Sequence, residues 1–277
     1  MNRYHQKKLA IINDLSGYGR CSLTAAIPVV SAMKVQACPV PTAILSNHLA
    51  FPVCHFQDNT EHMQPYIQAW KDLNLEFDGI LTGFLGSESQ IGIVSDMIAD
   101  FRGEHTKVII DPIMGDHGKP YKTFTDRMCS RMKELVSMGD VVTPNLTEAC
   151  ILTETEYRKE GWKRFELKRM AEELLKIGPR QVVITGVNEG SFLVNVIAER
   201  DREITFQKMK RVGCERPGTG DIFSAITAAA ILQGEELPAA VRKAAGFVKA
   251  CILKSEELDI PVNNGVCLEE MLFLLMK

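Results

Sequence analysis

Lys107-Val108-Ile109-Ile110-Asp111-Pro112-Ile113-Met114-Gly115-Asp116 is the stretch that decides the fold: a short β-branched run that gives way at once to carboxylates, a proline and glycine. Three consecutive apolar residues with no alternation fit a strand covered on both faces, and the abrupt polar ending fits the carboxyl edge of a parallel sheet. Similar runs occur at 9–13, 35–44, 79–82, 140–143 and 181–185. Between them lie helix-length amphipathic segments at about 21–33, 60–73, 88–101, 125–136 and 163–177. This rhythm predicts an α/β fold, a three-layer α/β/α sandwich around a mainly parallel sheet. Residues 191–197 and 203–206 read as a hairpin or edge pair, after which helices dominate. The mixed charges of 154–169 read as those of a solvated helix. With no repeat, low-complexity segment or linker, the 277 residues read as a single domain over 1–277.

Composition narrows the function. The apolar share of 45% and charged share of 24% are those of an ordinary globular chain. A net charge of −3 leaves no basic excess for phosphate backbones or anionic lipid, so nucleic acid and membrane are set aside as partners. The apolar runs 23–33 and 225–232 are too short to span a bilayer, and 9–12 is too short for a signal-peptide core, which predicts a cytoplasmic protein. Eight cysteines without a C-x-x-C pair suit reduced thiols. His48, His55 and His62 recur every seven residues beside Cys54, but that spacing on a loop-like stretch containing Pro52 does not converge metal ligands, and they read as structural.

In open parallel sheets the ligand crevice lies beyond the carboxyl ends of the strands. Those ends here carry Asn13-Asp14-Leu15-Ser16-Gly17, Thr82-Gly83-Phe84-Leu85-Gly86, Asp111 to Asp116, Thr143-Pro144-Asn145 followed by Glu148, and Thr185-Gly186. One such polar residue is more often a turn former or cap; five sets in register point to a site. The sharpest segment is Arg216-Pro217-Gly218-Thr219-Gly220-Asp221, running into an alanine-rich helix. Glycines at a helix N-terminus can aim main-chain N–H groups at an anion, with the helix dipole adding positive potential. Asp221 there reads either as an N-cap or as a general base beside phosphate. No G-x-x-x-x-G-K-[ST] supports a P-loop, and no G-x-S-x-G marks a hydrolase. Gly17-Tyr18-Gly19-Arg20-Cys21-Ser22 leaves an NAD-linked oxidoreductase as a weak alternative, lacking the third glycine and the later acid.

These pieces, with Ser46-Asn47-His48 and Thr82 to Ser87, resemble the ribokinase-like superfamily and, within it, the pyridoxal (pyridoxamine, pyridoxine) kinases. Ser-Asn-His and Asp-Pro-x-Met-Gly-Asp are the more specific signals, and the match runs from 13 to 221 in the family's order. The resemblance implies ATP-dependent phosphorylation of the 5′-hydroxymethyl group of a B6 vitamer, with Mg²⁺, by a homodimer. It implies Asp221 as base, with Gly218 and Gly220 shaping the anion hole. Asp111, Asn145, Thr185 and Thr219 fall at nucleotide positions, Asp116 and Glu148 at metal positions, and Asp14, Ser46, His48 and Phe84 at substrate positions. Pyridoxal kinases carry hydroxyl-bearing residues where this chain has Asp14, Leu49 and Phe84, so Asp14 is expected to supply the directional contact to the ring. The Asn-Asp-Leu-Ser-Gly opening is similar to that of hydroxymethylpyrimidine kinases, which gives the alternative substrate.

Overall fold

In chain order the first half runs β1 (Lys8–Tyr18), α1 (Ser22–Ala32), β2 (Gln36–Asn47), β3 (Phe56–Asp58), α2 (Thr60–Asp72), β4 (Gly79–Thr82), α3 (Glu88–Phe101), β5 (Lys107–Ile110), β6 (Gly115–Asp116) and β7 (Lys119–Pro120). The second half runs α4 (Asp126–Ser137), β8 (Val141–Val142), α5 (Leu146–Leu152), α6 (Arg164–Ile177), β9 (Gln181–Glu189), β10 (Phe192–Glu199), β11 (Thr205–Lys210), α7 (Thr219–Leu232) and α8 (Leu237–Glu257). The computed structural model describes residues 5–121 and 124–276. The chain divides into two units: Met1–Phe84 with Phe101–Thr106 and Val212–Lys277, and Leu85–Asp100 with Lys107–Arg211.

In the first unit the strand order is β4-β1-β2-β3, parallel except for β3. All four residues of β4 are buried, and so are six in succession of β1. Since successive side chains point to opposite faces, both faces of these strands are covered. α1 and α7 pack on each other, α1 also on β1 and β2, and α7 on β4, where Gly79 lets Leu232 come close. Pro39 and Pro41 sit in β2 without breaking the ladder, because β3 pairs only with Ala43 to Leu45 and their outer edge needs no N–H donor. Their carbonyls accept instead from the Tyr66 hydroxyl and the Asn59 amide.

In the second unit the order is β11-β10-β9-β8-β5, with β5, β8 and β9 parallel and β10 and β11 antiparallel at the edge. Val108, Ile109 and Ile110 are fully buried, as the opening stretch requires. The Asp140 carboxylate accepts the Val108 N–H at 2.8 Å and so anchors the start of β5.

The α/β class with a mainly parallel sheet is as expected, the described residues hold eight α-helices, and β4, α3 and β5 occupy the predicted residues. Three differences have physical causes. β1 continues past Asn13 to Tyr18 because, after a register shift, Leu15 to Tyr18 pair with Ile44 to Asn47. The charged run at 154–169 is helical only from Arg164. α5 is an additional seven-residue helix, started by a capping box between Asn145 and Glu148. Among the described residues no helix is long and apolar enough to cross a membrane.

Ile80 on β4 is fully buried and Leu73 after α2 is 69% exposed. Ile80→Ala should therefore cost about 2–5 kcal/mol in urea unfolding, against less than about 0.5 kcal/mol for Leu73→Ala.

Candidate active site

In the first unit the polar end of β1, the start of α1 and the start of α7 meet at Asp221. Its Oδ1 accepts from Asn13 Nδ2 at 2.9 Å and its Oδ2 from the Ser22 main-chain N–H at 2.8 Å. Burial raises its pKa to about 6; the two hydrogen bonds work against that rise, and the charge of Asp14 adds to it. A carboxyl with that affinity takes up a proton more readily than an ordinary aspartate. Gly218, just before α7, has φ +80°, and a Cβ there would lie 1.9 Å from the Arg20 carbonyl oxygen. Only glycine fits this turn. A Cβ on Gly220 would meet open space, so its side is sterically free. Thr219 opens α7, with its hydroxyl donating to the Arg216 carbonyl at 3.1 Å.

Asp14 is 6% exposed, and both its oxygens accept from serine hydroxyls: Oδ1 from Ser22 at 2.6 Å and Oδ2 from Ser16 at 2.8 Å. His48 packs on Gly19, where a Cβ would lie 2.6 Å from its ring, and against Phe51 with ring centroids 4.6 Å apart. Its Nε2 donates to the Asn263 carbonyl at 2.6 Å and its Nδ1 accepts the Ala50 N–H at 3.3 Å, the neutral Nε2–H tautomer. Ser46 is exposed, its hydroxyl donating to Asn47 Oδ1 and accepting the His55 N–H. Phe84 reaches the cluster through its main chain, its N–H donating to Asn13 Oδ1 at 2.9 Å.

In the second unit the turn after β5 carries the acids. Glu148, 3% exposed, accepts the Met114 N–H at 3.0 Å and the Asn145 N–H at 2.8 Å. Burial first, and then the charges of Asp111 and Asp116, raise its pKa well above the usual carboxylate range. Asn145 accepts the Glu148 N–H, donates through Nδ2 to the Gly115 carbonyl at 2.9 Å, and bridges in parallel to Thr185. Ile113 at φ +39° and His117 at φ +51° mark how tightly the turn bends. Asp116 is exposed at the tip of the β6-β7 hairpin. Among the described residues no three His, Cys, Asp or Glu side chains form a metal cage. Mg²⁺ keeps several waters and takes few protein ligands, and a buried glutamate facing the charges of Asp111 and Asp116 gains from a nearby divalent charge, so this donor set fits it.

Two residues at the centre of the first cluster, Asn13 and Ser22, had been given no site role from the sequence. Asn13 was read among the polar strand ends, as the first polar residue after the apolar run of β1, but without a role of its own. Ser22 acts through its main chain at φ +50°, which no residue type announces.

A mainly parallel α/β fold with a helix-opening glycine turn, a base-like aspartate and acidic strand ends defines a small-molecule phosphotransferase. The phosphomethylpyrimidine kinase family model matches residues 19–265. A Bacteroides thetaiotaomicron protein assigned as a phosphomethylpyrimidine kinase, crystallised with pyridoxal, is 38% identical with a TM-score of 0.94, over 99% of this chain and 96% of that one. The pyridoxine/pyridoxal/pyridoxamine kinase of Bordetella avium is 29% identical over 89% of this chain and 86% of its own. The hydroxymethylpyrimidine/phosphomethylpyrimidine kinase of Rhizobium meliloti is 24% identical over 93% and 94%. The chain belongs to the phosphomethylpyrimidine kinase family, ribokinase-like kinases whose relatives are named for B6 and for pyrimidine substrates alike.

The two glycines of the turn separate sterically. Gly218→Ala should lower stability by at least about 1 kcal/mol, since it meets both a forbidden φ and the Arg20 carbonyl. Gly220→Ala should leave the Tm unchanged or slightly higher, because alanine favours a helix by up to about 1 kcal/mol. Differential scanning fluorimetry of the two variants checks both outcomes.

Proposed function

We propose that this kinase transfers the γ-phosphoryl group of ATP to the 5′-hydroxymethyl group of a B6 vitamer (pyridoxal, pyridoxine or pyridoxamine), as a cytoplasmic homodimer serving pyridoxal 5′-phosphate salvage. The observation that carries the reading is Asp221, a carboxylate at the opening of α7 held from two sides and raised toward the proton affinity of a general base. Asp221 accepts the hydroxyl proton as the hydroxyl oxygen forms its bond to the γ-phosphorus, and the bond from that phosphorus to the bridging oxygen breaks, releasing ADP. Main-chain N–H groups of the turn at 218–220 and the dipole of α7 stabilise charge on the equatorial oxygens. Asp111, Asn145, Thr185 and Thr219 bind the nucleotide, and Asp116 and Glu148 hold Mg²⁺ directly or through water. Magnesium, when bound, supplies positive charge to the phosphate oxygens. Ser46, His48 and Phe84 are assigned to the acceptor. Ser46-Asn47-His48 and the pyridoxal with which the Bacteroides protein was crystallised favour B6.

A second reading, phosphorylation of hydroxymethylpyrimidine, is favoured by the family's name and by the Rhizobium relative. Coupled ADP-release assays across the three vitamers and hydroxymethylpyrimidine decide between them. The expected result is a kcat/KM at least roughly 10-fold higher for the best vitamer, about 1.4 kcal/mol of transition-state binding; a lead for hydroxymethylpyrimidine overturns the B6 assignment.

The base must be unprotonated to act, so with a pKa of about 6 the kcat/KM should fall as pH drops through that value rather than near the ordinary aspartate value. Asp221→Asn should lower kcat by roughly 10² or more. Normal turnover with a lower Tm would instead make Asp221 a helix cap.

A further inference from the structure

Asp14 was expected to face the substrate ring, yet its surroundings tie it to Asp221. Ser22 serves both acids: its hydroxyl donates to Asp14 Oδ1 at 2.6 Å while its main-chain N–H donates to Asp221 Oδ2 at 2.8 Å. Asn13 repeats the arrangement from β1. Its Oδ1 accepts the N–H groups of Asp14 and Phe84, each at 2.9 Å, which turns Nδ2 toward Asp221 Oδ1. Ser22 holds φ +50°, a conformation a non-glycine residue keeps only where its surroundings over-determine it. Bonds to two carboxylates supply that determination.

We propose that Asp14 is a positioning residue for phosphoryl transfer: a buried carboxylate, joined to Asp221 through Ser22 and Asn13, that holds these two donors on the base and sets the negative field around it. The proposal rests on Asp221 being the base. Electrostatics support it, since the Asp14 charge contributes to the elevation of Asp221. The other ionisable groups facing the pair do not supply this charge. Cys21, at the opening of α1, is pushed up to about 12 by burial and then by the two acids, so it stays a neutral thiol. Burial raises Asp14, the Ser22 and Ser16 hydroxyls work against that rise, and His48, after β2, faces it as a ring whose two nitrogens are already engaged. Arg20 is turned away, its Nε donating to Glu269 at 2.8 Å and its Nη1 to the Asn264 carbonyl at 3.1 Å. Two carboxyls that share the donor Ser22 each feel the other's ionisation.

The test is a ¹³C-carboxyl NMR titration of aspartate-labelled protein, run beside the pH profile of kcat/KM, with Asp221→Asn and Asp14→Asn assigning the signals. In the wild type the two carboxyls should titrate in linked steps. In Asp14→Asn the Asp221 midpoint and the acid limb should move together to lower pH by about 0.5 unit or more. An Asp221 midpoint that stays in place overturns the proposal. So does a reordered vitamer preference with an unmoved limb, which would seat Asp14 on the ring. Asp14→Ser is the second variant if Asp14→Asn does not fold, and independent single-step titrations in the wild type overturn the proposal with no variant at all. Near-normal kcat in Asp221→Asn removes the base assignment instead, while the linked titration is read independently of it.

Discussion

A half-buried carboxylate satisfied by neutral donors is the arrangement on which the first unit's site depends. Asp221 is held by an amide from β1 and by a main-chain N–H from the start of α1, so one side chain on α7 fixes the mutual placement of three elements. A lysine or arginine at the same point would have lowered its pKa by an opposite charge at short range. Neutral donors orient the group without cancelling its charge, and the proton affinity survives. The strained Ser22 and the crowded Gly218 are consequences of the same convergence. α1 can present its first N–H to Asp221 only if the chain bends sharply between Arg20 and Ser22, and that bend brings the Arg20 carbonyl to where a Cβ of residue 218 would lie.

The second unit solves the problem in a related way. Glu148 accepts two main-chain N–H groups, one from the turn after β5 and one from the start of α5, and the acids nearest it raise its proton affinity further. A capping box and a candidate metal position thus coincide in one residue. The cap holds Asn145, Asn145 holds the Gly115 carbonyl, and the hairpin carrying Asp116 is thereby fixed to α5. Here the cap and ligand readings of Glu148 are complementary, because an acid already held by the backbone loses little side-chain entropy on meeting a cation.

The elements legible in the sequence were those whose patterns are set by burial. β4 and β5 are short apolar runs covered on both faces, and α3 carries a clear apolar stripe, so their ends could be read to the residue. β3 was not foreseen because its three residues are all exposed and its pairing with Ala43 to Leu45 is a main-chain event. The extension of β1 was hidden for the same reason: Asp14, Ser16 and Gly17 look like a turn, and the strand runs on past the register shift at Asp14 only because β2 continues beside it. At the site, Asp221 and its glycines were visible as a motif. Ser22 and the second role of Asn13 were not, since both depend on where β1, α1 and α7 converge.

His48 shows how a residue picked out by resemblance can take its meaning from the backbone around it. Both ring nitrogens are engaged, one by the Asn263 carbonyl and one by the Ala50 N–H, so what the ring offers is its flat surface rather than a donor or acceptor. Part of that surface lies against Gly19 and Phe51. The segment that accepts from His48 also accepts from Arg20 through the Asn264 carbonyl, and from the buried Arg216 through the carbonyls of Ile260, Pro261 and Gly265. Three side chains from the rim of the first unit's cluster thus converge on the carbonyls of residues 260–265. Arg216 lies two residues before Gly218 and Arg20 supplies the carbonyl facing it, so the glycine turn is braced from both sides. Main-chain N–H groups aimed at an anion stabilise it most when the loop carrying them does not have to reorganise as charge develops, and this bracing supplies that stiffness.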